Sequence, residues 1–364
     1  MSQPRKITHG RGVSYEITYR VQDRMVRRRF PTRQRALDAA ARARAEIVDG
    51  THIAPAQGRT TLAEYASRWL ETLQVRPSTR YHYEIYLRCH VLPALGSRAL
   101  STLRRSDIQA LVGQLSGKGL KPSTVDSIYK IVAMVLRSAV YDRLLPVSPC
   151  YKIKVPPREE RALAVFTPEQ ARRLLAAARP REHALFALTV ATGMRQGEAL
   201  GVRLPNLNLL RRELAVEEQC LTPPRGRPYI TGDLKTKASR RRLPLPQFAV
   251  EAVARHLQSE PLRDDGALFV SPLGNLWRRG SFNESVWKPA LLRAGLDTGY
   301  GFHALRHTYA SGLIAQGLHP RVIQARLGHA SISETMDTYG HLFPDADEET
   351  AQALDRLFGG AAGQ

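Results

Sequence analysis

Two proline-containing stretches interrupt the periodic patterns of this sequence and so limit how long any one domain can be. They are THIAPAQGRT at residues 51–60 and YKIKVPPREERA at residues 151–162. Proline, glycine and small polar residues favour linkers over helices or strands. The 364-residue chain is therefore predicted to be multidomain, with boundaries at 1–58, 59–155 and 156–345 and a tail at 346–364.

The first segment combines strand-like alternation with positive charge. Residues 13–21 alternate and are rich in β-branched and aromatic side chains, residues 25–31 predict another strand, and residues 32–50 predict an alanine-rich helix ended by Gly50. Twelve Lys and Arg residues face five acidic ones within residues 1–58. A small sheet with one helix can present arginines to a DNA groove, so an accessory DNA-binding module is predicted. A basic appendage without a binding role is the alternative.

The second segment is predicted to be helical throughout. Leu62, Tyr65 and Trp69 recur at three- and four-residue intervals, and Thr61 with Glu64 has the spacing of a capping box. Three more amphipathic helices are predicted at residues 78–96, 104–119 and 121–145. The segment is therefore expected to form a domain of four or five helices.

The charge balance narrows the range of molecules that the chain can bind. The chain carries 54 Lys and Arg against 33 Asp and Glu, a formal net charge of +21. Because this excess is spread along the chain instead of forming a polybasic tail, it favours nucleic acid over a membrane surface. No apolar run approaches the roughly 18 residues of a membrane span, and a secretory signal peptide is not expected. Three widely separated cysteines, Cys89, Cys150 and Cys220, exclude a disulfide framework and suit a cytoplasmic protein.

The third segment is predicted to be mainly α with a small antiparallel sheet. It opens with a helix start at Thr167, Pro168 and Glu169. Its first motif, ATGMRQGEAL, places Arg195 after a glycine turn and Glu198 one helical turn later. A guanidinium there can approach a phosphate, with Glu198 fixing it in place. Taken alone, the motif is better explained as an ordinary Arg–Glu pair on a helix.

The second motif, DLKTKASRRRLPLP at residues 233–246, is typical of a strand–turn–strand pattern with Lys235 and Lys237 near the tip. A hairpin lysine can be placed over a bound backbone as a proton donor, whereas an arginine never deprotonates. Simple phosphate binding is the competing role.

The third motif, HALRH, places His303 and Arg306 on one face of a helix start, where both can donate to the same anion. His303 and His307 are also spaced like metal ligands. The glutamate of an HExxH site is missing, however, and only His329 or His341 offers a further ligand, so a metal site is not favoured.

The fourth motif, LGHASISETMDTYGHL, places His329 at the end of one helix and a Ser331–Glu334 cap at the start of the next. That helix carries Tyr339, one residue before Gly340. A tyrosine in this position is expected to be free to move.

Arg, Lys, His-x-x-Arg, His and Tyr, in this order, resemble the catalytic set of the tyrosine recombinases, the lambda-integrase-like family. The resemblance covers essentially the whole chain. It implies a mainly α catalytic fold, a helical SAM-like core-binding domain and a small N-terminal sheet-and-helix domain for arm-type DNA sites. The six residues it assigns as catalytic are Arg195, Lys235, His303, Arg306, His329 and the nucleophile Tyr339.

On this resemblance the chain is expected to cut and rejoin DNA through a 3′-phosphotyrosine, without metal, ATP or another cofactor. Arg195 and Arg306 would hold the scissile phosphate, and His329 would donate to it. His303 would take the tyrosine proton or hold the phosphate while another group does so. Lys235 would protonate the leaving 5′-oxygen, although Lys237 is an alternative.

The partners that the resemblance implies are core and arm-type attachment sites on double-stranded DNA and a homotetramer on that DNA. Excisionase and DNA-bending proteins are candidate accessory partners. Residues 346–358 predict a short amphipathic helix that docks on a neighbouring protomer or on its own domain. Two other functions stay open at this point: a type IB topoisomerase-like enzyme and a non-catalytic DNA-binding regulator.

Overall fold

The structure is a computed structural model, and it describes residues 3–9, 12–21, 24–48, 59–157, 163–224, 226–234, 236–260, 262–343 and 347–358. The chain forms two compact units, residues 1–160 and 161–364. The break between them falls inside the proline-containing stretch at 151–162. The finer division, with a boundary at residue 58, stays a prediction.

The N-terminal part is a three-stranded antiparallel sheet with one helix. Its elements are β1 (Arg5–His9), β2 (Gly12–Val21), β3 (Arg24–Phe30) and α1 (Arg33–Val48), and β2 is the central strand. Ile17 and Tyr19 of β2 form a small core with Ala36 and Ala43 of α1. The predicted strands and helix are confirmed, while Gly50, the predicted helix end, lies outside the described residues.

The helical part of the first unit has its own core. Its helices are α2 (Leu62–Thr72), α3 (Pro77–Tyr86), α4 (Leu92–Leu95), α5 (Arg105–Gly117) and α6 (Pro122–Tyr141). A π-type turn at Leu87–Val91 joins α3 to α4, where Pro93 removes a backbone donor. The Thr61–Glu64 capping box is present in both directions. Helices at all four predicted positions are confirmed.

In its described residues, the second unit is mainly helical with two small sheets. Its helices are α7 (Pro168–Ala177), α8 (Pro180–Thr192), α9 (Gln196–Leu200), α10 (Gln247–Ser259), α11 (Arg279–Phe282), α12 (Lys288–Arg293), α13 (Ala304–Ala315), α14 (Pro320–Leu327), α15 (Ile332–Tyr339) and α16 (Asp347–Phe358). Its strands are β4 (Leu207–Asn208), β5 (Glu213–Val216), β6 (Gln219–Leu221), β7 (Tyr229–Thr231) and β8 (Arg241–Pro244). One sheet has the order β4-β5-β8 and the other pairs β6 with β7, all antiparallel.

The second unit is organised around α8, which packs against α10 and α13. Edge-to-face and tilted contacts join Phe186 of α8 to Trp287 and Phe302, just before α13 begins. A smaller cluster, with Ala310 and Leu327 among its members, joins α13, α14 and α15. The aromatic contacts of Phe186 fix the start of α13, and the smaller cluster fixes the end of α15. These two helix ends carry most of the candidate site.

The helix α16 matches the amphipathic segment predicted for the tail. Leu354, Leu357 and Phe358 are 49%, 73% and 76% exposed. Among the residues that the structure describes, no helix is long and apolar enough to span a membrane.

Candidate active site

Arg195 lies in a tight turn between α8 and α9. Gly193 ends α8 in the left-handed conformation, with φ +62°, and a Cβ at this position would collide with the ring of Tyr309. This turn directs the Arg195 side chain back over α9, where Nη1 donates to Glu198 Oε1 at 2.9 Å and Nη2 donates to the Gly328 carbonyl at 3.2 Å. The glycine turn and the Arg–Glu pair predicted from the sequence are therefore both present.

Glu198 is a buried anion shared by two arginines. Its side chain is 3% exposed, and its Oε2 accepts a hydrogen bond from Arg241 Nη2 at 2.9 Å. Burial raises the pKa of this carboxyl group, but Arg241 and Arg195 outweigh burial and hold the pKa below its ordinary value. Glu198 is thus ionised at neutral pH and fixes both guanidinium groups.

Arg306 is the most deeply buried charge of the site, with 1% of its surface exposed. Its Nη1 donates to the Gly193 carbonyl at 2.8 Å, while Nη2 has no hydrogen-bond partner among the described residues. Burial and the charge of Arg195 lower the pKa of Arg306 to about 10, so it stays charged at neutral pH. A buried donor without a partner costs about 1–3 kcal/mol, and an anion oxygen bound there removes that cost.

Two histidines flank the first turn of α13. His303 is the residue before the helix and remains partly open to solvent, and its ring lies edge to face with that of His307, with 4.7 Å between centroids. Desolvation, followed by the charges of His307, Arg306 and Arg195, lowers the pKa of His303 to about 3. Both His303 and Arg306 therefore face the positive part of the site, as the HxxR spacing predicts.

Tyr339 ends α15 and is 1% exposed. Its hydroxyl is 2.8 Å from His307 Nδ1, and its ring stacks on that of His329 at 6.5 Å between centroids. Burial raises the pKa of Tyr339 to about 12, against the opposing charge of Arg306. Gly340 continues into a 3₁₀ turn, and the small cluster of α13, α14 and α15 encloses the Tyr339 ring. The freedom of movement expected for Tyr339 stays a prediction.

His329 follows the left-handed Gly328 that ends α14, and it is 6% exposed. Its Nδ1 lies 2.8 Å from Thr335 Oγ1, a contact that orients the ring. Burial and the charge of Arg306 lower the pKa of His329 to about 4, although Glu334 at 3.7 Å opposes the shift. The Ser331 cap predicted for α15 is present.

The structure brings together five of the six residues expected to be catalytic. Lys235 lies outside the described residues, and Lys237 is exposed in a 3₁₀ turn at Lys237–Ser239. The predicted hairpin around these lysines is wrong: within the described part of the chain, β7 pairs with β6 while β8 pairs with β5. Each of these two strands pairs with a strand that precedes it in the sequence, β7 with β6 and β8 with β5.

Several supporting residues were missed in the sequence. The Arg241 side chain is buried beside Glu198, whereas Arg240 and Arg242 on either side are exposed. Strand alternation within the run of three arginines could therefore have predicted that Arg241 points inward. Gln196, 7% exposed, donates to Asn283 and accepts from Arg279 Nε at 2.9 Å. No local pattern marks Gln196, because its partners lie more than 80 residues away.

The site is therefore a cluster of arginines around one buried carboxylate, with a neutral tyrosine and three histidines beside it. Among the described residues, no group of three or more His, Cys, Asp or Glu side chains is arranged to hold a metal ion. Such a cluster suits an anion that gains negative charge in a transition state, as a phosphodiester does under nucleophilic attack.

Comparison with known proteins identifies the family. Residues 164–345 match the model of the phage integrase family, and residues 61–116 match the model of the phage integrase N-terminal SAM-like domain. The chain belongs to the phage integrase family. Like the relatives described below, this family member is a tyrosine-type site-specific DNA recombinase. All five described candidate residues of the active site lie within the first match.

Named relatives agree with this assignment. The recombinase is 28% identical to a XerC-like tyrosine recombinase of Caldanaerobacter subterraneus subsp. tengcongensis, across 82% of this chain and 83% of the relative. It is 24% identical to the ICEBs1 integrase of Bacillus subtilis, across 90% of both chains. The match with the integrase of Mycobacterium phage L5 is 26%, across 82% of this chain and 79% of that integrase.

Two solved structures share the fold. The recombinase matches the Tn1549 transposon integrase bound to a circular intermediate DNA with a TM-score of 0.71 and 21% identity, covering 82% of this chain and 99% of that one. It matches lambda integrase in a tetramer bound to a Holliday junction with a TM-score of 0.58 and 17% identity, covering 90% and 96%. The predicted tyrosine-recombinase fold is confirmed.

Proposed function

We propose that this recombinase integrates and excises a mobile DNA element by cutting and rejoining double-stranded DNA through a 3′-phosphotyrosine bond to Tyr339. The observation that carries the proposal is the position of Tyr339, whose hydroxyl hydrogen bonds to an imidazole within the field of Arg306 and Arg195. The ICEBs1 and phage L5 relatives, both named integrases, support a mobile element as the DNA that is moved.

The two arginines hold the scissile phosphate in this proposal. Arg306 offers its unpartnered Nη2 donor, and Arg195 adds a second guanidinium held in place by Glu198. Since both are positioned before DNA binds, they stabilise the growing negative charge without rearrangement. Loss of one such donor typically costs about 10²–10³ in rate.

The two outer histidines complete the phosphate contacts. His303 is exposed to solvent, and His329 is held by Thr335 with its ring against Tyr339. Lys235 is proposed to protonate the leaving 5′-oxygen, so that a free 5′-hydroxyl remains beside the tyrosine–phosphate bond. That hydroxyl, or one from a partner strand, then attacks the linkage and restores the DNA backbone.

The N-terminal sheet is proposed to bind arm-type sites through the face opposite α1. Ile17 is buried against α1, so strand alternation places Glu16 and Thr18 on the other side, and the strand register adds Arg27 and Arg29 beside them. We call Arg5, Glu16, Thr18, Arg27 and Arg29 the open face. Exposed arginines on a small sheet suit the negative charge of the DNA backbone beside a groove.

Assembly is proposed to be a homotetramer on core-site DNA, since exchange between two duplexes requires four cuts. The exposed Leu354, Leu357 and Phe358 of α16 support a docking role for the tail, because a neighbouring protomer can bury them. Excisionase and DNA-bending proteins are proposed as accessory partners that set the direction of the reaction.

The test is covalent capture. A duplex carrying the joined ends of the element that contains the gene, nicked beside the cleavage position, traps the protein on DNA because the cut fragment diffuses away. The wild-type protein is expected to form a denaturant-resistant adduct in the presence of EDTA, and Tyr339→Phe is expected to bind the same duplex without forming it. An adduct formed by Tyr339→Phe would place the nucleophile elsewhere.

A further inference from the structure

The hydroxyl of Tyr339 is held by one particular imidazole. His307 Nδ1 lies 2.8 Å from Tyr339 Oη, and the two rings meet edge to face with 5.7 Å between their centroids. His303, which the HxxR pattern singles out, makes no hydrogen bond to Tyr339 among the residues that the structure describes. Its ring instead lies edge to face with that of His307, with 4.7 Å between the centroids.

The charges around the two histidines divide them in the same way. After desolvation and His307, the fields of Arg306, Arg195 and Arg279 also lower the pKa of His303, so this ring lies near both arginines that are proposed to hold the phosphate. His307 is half-buried, and burial followed by the field of Arg306 alone lowers its pKa to about 4. His307 is therefore neutral at neutral pH, with one ring nitrogen free to accept a proton.

Tyr339 needs such an acceptor. With a pKa of about 12, its phenol is protonated at neutral pH and is a weak nucleophile. A phosphate bound between Arg195 and Arg306 cancels part of the positive field that makes His307 a weak base, so substrate binding itself strengthens the acceptor.

We propose that His307, and not His303, accepts the proton of Tyr339 during DNA cleavage; this rests on the proposed function of Tyr339 as the nucleophile. As the bond from Tyr339 Oη to phosphorus forms, the hydroxyl proton moves to His307 Nδ1, which requires the tautomer with the proton on Nε2. The bond from phosphorus to O5′ breaks, and O5′ takes a proton from the general acid. On rejoining, a 5′-hydroxyl attacks phosphorus, Tyr339 leaves, and His307 returns the proton.

His307→Asn is the decisive variant, because the asparagine amide can hydrogen bond near the position of Nδ1 but cannot take a proton. His303→Asn is its matched control on the neighbouring ring. Adduct formation is measured in single turnover on the nicked duplex described above, between about pH 6 and pH 9, with thermal melting and DNA affinity measured for each variant. His307→Ala is measured with and without added imidazole.

We expect His307→Asn to lose about 10²–10³ in the rate of adduct formation. Its rate should rise about tenfold per pH unit as hydroxide replaces the missing base, whereas the wild-type rate stays nearly flat across this range. Imidazole should restore part of the activity of His307→Ala. His303→Asn should slow the reaction without adding this pH slope, because it weakens phosphate binding instead of proton removal.

The opposite pattern overturns the proposal. If His307→Asn reacts at nearly the wild-type rate with a flat profile, or if the slope appears only in His303→Asn, then His303 or another group is the acceptor. If His307→Asn does not fold, a failure of imidazole to restore His307→Ala has the same meaning. A wild-type protein that forms no Tyr339-dependent adduct contradicts the proposed function itself, which separates the two failures.

Discussion

The active site and the open face of the N-terminal sheet are both built on arginine–glutamate pairs, and they bury those pairs to different degrees. Arg241 and Glu198 meet at 2.9 Å with side chains 6% and 3% exposed. Arg29 and Glu16 meet at the same 2.9 Å, but their side chains are 59% and 16% exposed. Distance alone therefore does not distinguish the pairs, and burial decides what each can do.

In the active site, Glu198, Arg241 and Arg306 are shielded from water, and each of these charges depends on its neighbours. Removing one partner leaves the others buried without compensation, so effects are expected to be large and non-additive. On the open face, water and salt screen each arginine separately. That suits a surface that must release counterions and bind a long polyanion, whereas the buried network suits a site that must hold one phosphate in one geometry.

The largest effect is expected from removing the shared anion of the active site. Glu198→Ala leaves Arg241 and Arg195 without their carboxylate, which should cost about 3–5 kcal/mol in the free energy of unfolding. Glu16→Ala breaks a pair of equal length on the open face and should cost about 1 kcal/mol or less. The two losses of stability are measured by amide hydrogen exchange. The exchange is followed in α9 and β8 for Glu198→Ala and in β2 and β3 for Glu16→Ala. Equal losses would show that burial does not separate the two pairs.

A second contrast concerns two glycines with the same backbone conformation. Gly193 beside the active site has φ +62° and faces the ring of Tyr309. Gly119 has φ +73°, and no heavy atom lies within 4 Å of the position that a Cβ would take. Alanine at Gly119 should cost about 1–2 kcal/mol for the left-handed backbone. Alanine at Gly193 should add about 1–3 kcal/mol for the collision and shift the carbonyl that holds Arg306. Equal melting temperatures for the two variants would contradict the packing of Tyr309 on this turn.

The buried histidines predict a loss of stability in acid. Burial and Arg306 lower the pKa of His329 from its ordinary value near 6.5 to about 4. Above pH 6.5 the ring is neutral in both folded and unfolded protein; as the pH falls towards 4, the unfolded chain takes up the proton first, and folding loses about 1–3 kcal/mol. Urea denaturation from about pH 7 to pH 5 measures this loss. His329→Asn should show a shallower dependence, and an unchanged dependence would assign it to other groups.

Local signals in the sequence predicted local structure well. The capping pairs Thr61–Glu64 and Ser331–Glu334 and the glycine turn before Arg195 each involve residues within a few positions, and all are present. Arg195 and the Gly328 carbonyl that accepts its hydrogen bond are 133 positions apart. The motif order of the tyrosine recombinases was nevertheless sufficient to assign both segments to one site.

The errors came where tertiary packing competes with local pattern. A strand–turn–strand pattern around Lys237 predicted a hairpin, but β7 and β8 pair with different upstream strands. Gly340 suggested an open setting for Tyr339, but α15 packs with α13, buries the ring and brings its hydroxyl to His307, 32 positions away. Neither outcome is encoded within the few residues that suggested the pattern.

The smallest effect is expected on the open face, and it tests which side of the sheet meets DNA. Arg27 lies on the open face opposite Thr18, whereas Arg28 lies on the α1 side, with its guanidinium 5.3 Å from the centre of the Phe30 ring. Arg27→Ala should weaken binding to arm-site duplexes by about 1 kcal/mol. It should also make the slope of log affinity against log salt concentration shallower by about one, as expected for the loss of one phosphate contact, measured between about 50 and 200 mM salt. Arg28→Ala is the matched control and should leave the salt slope unchanged. If Arg28→Ala has the larger effect on the slope, DNA binds the α1 side, and the exposed Arg29–Glu16 pair is then a solvated surface pair with no share in recognition.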